Sequence, residues 1–174
     1  MTRSDLQPKE KDGYFSRYID IVPDVGIHQA LEMAKFEMLN CILPLSEEQW
    51  SYRYEEGKWN LKELIQHLID TERIFCNRAL RFARGENQPL PGYDENLFAD
   101  NSKADNRDRS ELLVEYKIVR ESSILLFNSF DDEQLRTLGE AGGNTLSVRA
   151  IAYLNAGHDL HHLRVFKERY LKIS

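Results

Sequence analysis

Apolar residues recur at steps of three, four and seven positions along four separate stretches of the chain. Such steps return to one side of an α-helix, so each stretch predicts an amphipathic helix that buries one stripe. The predicted helices cover about residues 24–43, 60–84, 108–130 and 147–171. No stretch alternates convincingly with a period of two residues, so we expect an all-α fold, a four-helix bundle.

Capping residues mark the limits of the first two predicted helices. Asp24 is placed to cap the start of the first helix, and Pro44 follows its end. Asn60 and Glu63 have the spacing of a capping box at the start of the second helix, and Gly85 follows its end.

The segments outside the helices differ in character. Residues 85–108 are rich in Pro, Gly, Asp and Asn, and form a long connection of the kind that often carries function. Residues 1–23 show no sustained period, and we expect a lead-in segment that packs loosely or against a partner. The whole chain, 1–174, is predicted to be a single domain.

Composition narrows the function classes. The 41% hydrophobic and 30% charged residues are typical of a globular chain, and no stretch approaches the roughly 20 apolar residues that span a bilayer. The net charge of −6 comes without a basic block, so neither nucleic acid nor a membrane is an expected partner. The polar N-terminus lacks the apolar region of a secretory signal, so we expect a cytoplasmic protein. Only two cysteines occur, with no CxxC motif.

Three histidines fall on predicted inward-facing stripes. His158 and His162 are one turn apart on the fourth helix, and His67 lies on the apolar face of the second. An HxxxH pair alone is also typical of a polar surface patch. Three neutral imidazoles facing one interior, however, would satisfy a metal ion better than they would satisfy one another. His161 and His28 are expected at the surface or beside the site.

The segment 158–162, HDLHH, superficially resembles the HExxH motif of zinc metalloproteases, with Asp159 in place of the glutamate. Only twelve residues follow His162 and none is a histidine, so a third ligand has to come from upstream. His67 is the candidate.

A family resemblance runs through nearly the whole chain. It is carried by GKWNLKELIQHLIDTERIFCNRALRFARGE, LPGYDEN and AYLNAGHDLHHLRVFKERYL. These segments resemble the DinB family and its YfiT-like relatives. The resemblance implies a four-helix bundle with a long crossover between the second and third helices. It also implies a metal triad formed by His67, His158 and His162.

The predicted triad raises the question of what one divalent ion would do. Three histidines leave at least one open position, and imidazole suits zinc and nickel. In a metal-dependent hydrolase, a metal-activated water would attack a small-molecule substrate. Asp70 and Asp159 are the candidate bases, or orient a ligand's second nitrogen, although both could equally be solvated helix charges.

A second hypothesis is a thiol-dependent S-transferase, in which the metal binds a low-molecular-weight thiol as its thiolate. The family resemblance implies both activities and does not choose between them. A third hypothesis is a non-catalytic metal-binding dimer. The apolar strip Tyr14, Tyr18 and Ile19 in the lead-in segment would serve such a homodimer.

Residues outside the triad are candidates for substrate binding. Arg78, with Arg81 and Arg84, could hold a substrate carboxylate, although ion pairs with Glu72 or Glu86 would also explain these arginines. Tyr93 and its neighbours Asp94, Glu95 and Asn96 could close over the metal, or only cap the end of the bundle.

Overall fold

A computed structural model of the chain describes residues 1–11 and 13–172. In this part, eight α-helices and one two-stranded hairpin are joined by short turns. The α-helices are α1 (Ser16–Ile19), α2 (Ile27–Ile42), α3 (Glu47–Ser51), α4 (Leu61–Ala83), α5 (Glu95–Ser102), α6 (Arg109–Asn128), α7 (Asp132–Arg136) and α8 (Val148–Phe166). The strands are β1 (Leu138–Ala141) and β2 (Asn144–Ser147). The 3-10 turns are Arg3–Asp5, Pro8–Glu10, Gly13–Phe15 and Ala104–Asn106, and a π-helical turn, Lys167–Leu171, follows α8.

The four long helices α2, α4, α6 and α8 form the bundle, which confirms the predicted fold class. Helix α8 packs against α2 and α4, and α6 packs against the same two helices from the other side. The long crossover joins α4 to α6 and contains α5. None of the helices in the described ranges combines the length and apolarity needed to cross a membrane.

Helix α8 is the central element of the core. Every side chain from Val148 to Asp159 is buried, because α1, α2 and α4 cover it on several sides. A single amphipathic stripe therefore does not describe this helix. Its polar residues need partners inside the protein, because water does not reach them.

The predicted N-terminal cap is present at α4 but not at α2. Asn60 Oδ1 accepts from the Glu63 amide at 3.0 Å, and Glu63 Oε2 accepts from the Asn60 amide at 2.8 Å, which completes the capping box. Asp24 does not cap α2, whose N-cap is Gly26. The Asp24 carboxylate accepts instead from the amide and hydroxyl of Ser4, at 2.8 and 3.0 Å.

The lead-in segment is part of the core, contrary to the expectation of loose packing. Glu10 and Arg149 form a buried ion pair, with Arg149 Nε 2.6 Å from Glu10 Oε1. Helix α1 lies directly on α8 at Gly157, where a Cβ atom would come within 2.0 Å of the Tyr18 carbonyl oxygen. Tyr18 and Ile19 are buried in this contact, at 7% and 0% exposure, so of the predicted apolar strip only Tyr14, at 54%, is exposed.

A short hairpin precedes α8, although the sequence pattern predicted no strand. Strands β1 and β2 pair antiparallel from Leu138 opposite Ser147 to Ala141 opposite Asn144. Gly142 and Gly143 make the turn with φ of 57° and 77°. Leu90 in the crossover bonds to the end of β1 and to the turn, donating to Glu140 O at 2.9 Å and accepting from Gly142 N at 3.0 Å.

Candidate metal centre

Three imidazoles from two helices meet in the bundle interior. His67 comes from α4, and His158 and His162 come from successive turns of α8. His158 Nε2 lies 3.2 Å from His67 Nε2 and 3.0 Å from His162 Nε2. The structure thus brings the three predicted ligands together at the contact between α4 and α8.

The donor set suits a metal ion better than a hydrogen-bonded cluster. A neutral imidazole has one N–H and one lone pair, so His158 Nε2 cannot bond well to two other Nε2 atoms. Ligand nitrogens about 2.0–2.1 Å from a tetrahedral metal are separated by about 3.3 Å. The observed separations of 3.0 and 3.2 Å are close to that spacing. The three histidines therefore fit a single divalent ion.

The protonation of the cluster is set by its burial. Burial lowers the pKa of His67 to about 4. Burial and the neighbouring imidazoles lower the pKa values of His158 and His162 well below their usual range. All three rings are therefore neutral near pH 7, which is the form that binds metals.

A short hydrogen-bonded chain connects His67 to the crossover. Thr71 Oγ1 lies 3.5 Å from His67 Nδ1 and 2.7 Å from the hydroxyl of Tyr93. With Nε2 bound to a metal, Nδ1 would carry the ring proton, and Thr71 Oγ1 is the acceptor within reach of it. The Trp59 ring lies 4.7 Å from the His67 ring, centroid to centroid, and restricts its rotation.

The cluster opens on a cavity of about 510 Å³. Its walls come from α4 and α8, from the lead-in segment, from the crossover and from the hairpin turn. Aromatic rings dominate the surface near the histidines, among them Phe15, Phe75 and Tyr18. A volume of this size suits a small molecule rather than a macromolecule.

Two of the predicted substrate-binding residues, Arg78 and Tyr93, line this cavity. Glu95 and Asn96 line it as well, whereas Asp94 caps α5 by accepting from the amides of Asn96 and Leu97 at 3.0 Å.

Two other predicted arginines, Arg81 and Arg84, do not line the cavity. Arg81 pairs with Glu86 at 3.2 Å, and Arg84 lies over the Phe130 ring.

Neither of the predicted bases, Asp70 and Asp159, lines the cavity. Asp159 is buried and its carboxylate contacts α6, where it accepts from Arg120 Nη2 at 2.8 Å and from the hydroxyl of Tyr116. Asp70 accepts from Gln66 Nε2 at 2.9 Å on the partly exposed side of α4. The geometry supports neither carboxylate as a base or as a partner of a ligand nitrogen.

Residues that the sequence did not indicate complete the cavity. Arg17 and Tyr14 come from the lead-in segment, and Thr71 and Phe75 come from α4. His161, expected at the surface or beside the site, is half-buried and lines the cavity. The lead-in residues had no signal in the sequence, because their position depends on docking against α8. Thr71 could have been found, since it follows His67 by one helical turn.

Fold and site together define a helical-bundle protein with a three-histidine cluster that fits one divalent metal ion. The chain belongs to the DinB superfamily, whose family model matches residues 30–166.

Two relatives share parts of this description. A protein of Oceanobacillus iheyensis named "Putative metal-dependent hydrolase" is 25% identical over 129 residues, which is 71% of this chain and 71% of that protein. YfiT from Bacillus subtilis, described as "a probable metal-dependent hydrolase with an unusual four-helix bundle topology", aligns with a TM-score of 0.74. That alignment covers 97% of this chain and 95% of YfiT at 17% identity, and it shows a shared fold.

Proposed function

We propose that this protein is a metal-dependent hydrolase that acts on a small molecule, with one zinc or nickel ion on His67, His158 and His162. The observation that carries the proposal is the three-histidine cluster at the wall of a cavity. Among the described residues, no further His, Cys, Asp or Glu joins this cluster. A three-ligand site with free space beside it is the pattern of catalytic rather than structural zinc.

The bound ion would supply a water of lowered pKa and would polarise the bond to be cleaved. The chain's own residues prepare this chemistry. Burial keeps the imidazoles neutral, and Thr71 Oγ1 is placed to accept the Nδ1 proton of His67 when Nε2 binds the ion. The names of the two relatives point to hydrolysis.

Tyr93 is the hydroxyl group best placed to assist. Burial raises the pKa of Tyr93, so the side chain stays protonated near neutral pH and remains a hydrogen-bond donor. The Thr71 hydroxyl lies between the Tyr93 hydroxyl and His67 Nδ1. We infer that Tyr93 donates to a substrate oxygen at the cavity wall.

A thiol-dependent S-transferase is the second candidate, and one observation favours it. Neither Asp70 nor Asp159 lines the cavity, and their carboxylates bond to Gln66 and Tyr116, so hydrolysis would have neither of the predicted bases beside the histidines. A thiol bound to the metal would lose its proton through coordination and would need no protein base.

Metal content is the first test. We expect about one divalent ion per chain, by elemental analysis, in the tag-free protein and in His28→Ala, whose histidine is exposed on α2. His67→Ala should lose the ion while keeping its helical circular dichroism. The metal-site proposal is wrong if the wild-type protein binds no ion.

The two activities are separated with the cobalt-loaded protein. Turnover of ester or amide substrates without thiol would support the hydrolase. A thiolate-to-cobalt charge-transfer band on adding glutathione, together with thiol-dependent turnover only, would support the transferase and contradict the hydrolase.

A further inference from the structure

Arg78 is a buried cation without an acidic partner. Its side chain lies in the cavity wall and the residue is only 5% exposed. Nη2 donates to the Pro91 carbonyl at 2.8 Å. Within the described ranges, no carboxylate lies within ion-pair distance of its guanidinium. The acids considered from the sequence are engaged elsewhere, Glu72 with Arg120 and Glu86 with Arg81.

The other buried arginines of the chain behave differently. Arg120 pairs with Glu72 and Asp159, each at 2.8 Å, and Arg149 pairs with Glu10. Burying a charge is costly unless it is paired. Among the described residues, Arg78 is the buried arginine whose charge lies in a cavity wall, where an anionic ligand would supply the missing counter-charge.

The charged residues that line the cavity are mostly positive, although the chain as a whole is negatively charged. Arg78 lies inside it and Arg17 lies at its rim, 3.7 Å above the centroid of the Tyr14 ring. Glu95 is the one acidic residue among the described residues that line the cavity. Since the chain as a whole has a net charge of −6, this local excess of positive charge would favour anions in the cavity.

The Phe75 ring lies near both Arg78 and the histidine cluster. Its ring centroid lies 6.1 Å from the His158 ring centroid and 5.9 Å from Arg78 Cζ. Arg78, Phe75 and His158 line one cavity, and both distances are short enough for one small molecule to contact all three. A molecule that reaches both groups has an apolar middle that packs on Phe75.

We propose that the substrate class is a small ester or amide with a terminal carboxylate, which Arg78 binds while the cleavable bond lies at the histidine cluster. This inference rests on the proposed function. The planar guanidinium matches a carboxylate. Nη2 has a second N–H besides the one that it donates to Pro91, and this N–H together with a neighbouring one on Nε or Nη1 can donate to the two carboxylate oxygens. In hydrolysis, water supplies OH to the acyl carbon and H to the leaving oxygen or nitrogen, so no other reactant is needed.

The test uses binding rather than turnover. The full-length cobalt-loaded protein is titrated with a series of alkyl hydroxamates of increasing length that end in a carboxylate, and with matched hydroxamates that end in a carboxamide. The cobalt absorption spectrum reports binding of the hydroxamate at the metal. At the best length we expect the carboxylate probe to bind about 10-fold or more tightly than the carboxamide probe, because a charge-assisted hydrogen bond is lost in the latter.

Arg78→Met should abolish this preference and leave the affinity for the carboxamide probe nearly unchanged. Arg81→Met, an exposed arginine three residues further along α4, is the matched control and should retain the full preference. If Arg78→Met does not fold, Arg78→Lys keeps the charge without the planar fork, and we expect a reduced preference.

Three outcomes would overturn the proposal. Equal affinity of both probes for the wild-type protein at every length removes the carboxylate site but leaves the metal site intact. A preference that survives in Arg78→Met, or in Arg78→Lys at full strength, assigns the carboxylate to another residue. No spectral change with any hydroxamate means that the metal has no open position, and the proposed function fails as well.

Discussion

At the scale of single residues, the geometry of the site depends on one hydroxyl that connects a ligand to a loop. Thr71 lies between His67 Nδ1 and the hydroxyl of Tyr93, at 3.5 and 2.7 Å. Groups of this kind fix the ring orientation and tautomer of a ligating histidine. Thr71 therefore couples the crossover to the cluster without itself offering a ligand atom.

We predict that Thr71→Val weakens metal binding by about 10-fold or more, because it keeps the side-chain shape and removes the hydrogen bond to His67. The dissociation constant is measured by competition with a chromogenic chelator. Thr145→Val, on β2 and outside the cavity, is the control and should bind metal as the wild type does. Unchanged affinity in Thr71→Val would show that the ring of His67 is held by packing alone.

Several residue-scale features could be predicted from the sequence. The inward position of His67, His158 and His162 follows from helical spacing, and the Asn60–Glu63 capping box is a local motif. The direction of Asp159 could not be predicted. It follows His158 by one position, and its carboxylate lies outside the cavity because it pairs with Arg120 on another helix.

At the scale of elements, the lead-in segment is fixed to α8 by a buried ion pair. Glu10 and Arg149 are 3% and 2% exposed, so each would be a buried charge without the other. The segment also supplies Tyr14, Arg17 and Tyr18 to the cavity. Its docking is therefore necessary for the shape of the site.

We predict that Glu10→Gln destabilises the protein by about 3 kcal/mol at pH 7, because it leaves Arg149 as an unpaired buried charge. Urea unfolding followed by circular dichroism measures the change. Glu56→Gln, at an exposed glutamate, is the control and should stay within about 0.5 kcal/mol of the wild type.

The same pair predicts a dependence on pH. Burial alone would raise the pKa of Glu10, but hydrogen bonds from Arg149 and the Gln7 amide outweigh it and hold the pKa below the usual 4.5. Because the pKa of Glu10 is lower in the folded than in the unfolded state, its ionised carboxylate adds to the free energy of unfolding. This contribution is complete above pH 4.5 and is lost as the pH falls through the lowered pKa. The difference between Glu10→Gln and the wild type should therefore be smaller at pH 3 than at pH 7. An equal difference at both values would exclude the ionised pair as its cause.

At the scale of the whole molecule, one arginine joins the four bundle helices. Arg120 on α6 donates to Glu72 on α4 at 2.8 Å, to Asp159 on α8 at 2.8 Å and to the Leu31 carbonyl on α2 at 2.9 Å. Arg120 itself is fully buried. Its two acids come from the helices that also supply the histidines.

We predict that Arg120→Met destabilises the bundle by about 3–5 kcal/mol, because Glu72 and Asp159 remain as buried carboxylates without a counter-charge. Urea denaturation of the metal-free protein measures the loss. The double variant Arg120→Met, Glu72→Gln should recover part of it, since one uncompensated charge is removed. Arg136→Met, at an exposed arginine, is the neutral control. A double variant less stable than the single one would contradict this account.

The sequence by itself determined the four long helices, their inward histidines and the crossover between α4 and α6. These features are local, because helical period and capping act between residues a few positions apart. Tertiary structure alone decided the docking of the lead-in segment, the pairing of Arg120 and Arg149, and the isolation of Arg78. Those outcomes depend on groups far apart in the chain, where burial removes water and each charge has to find a partner across helices.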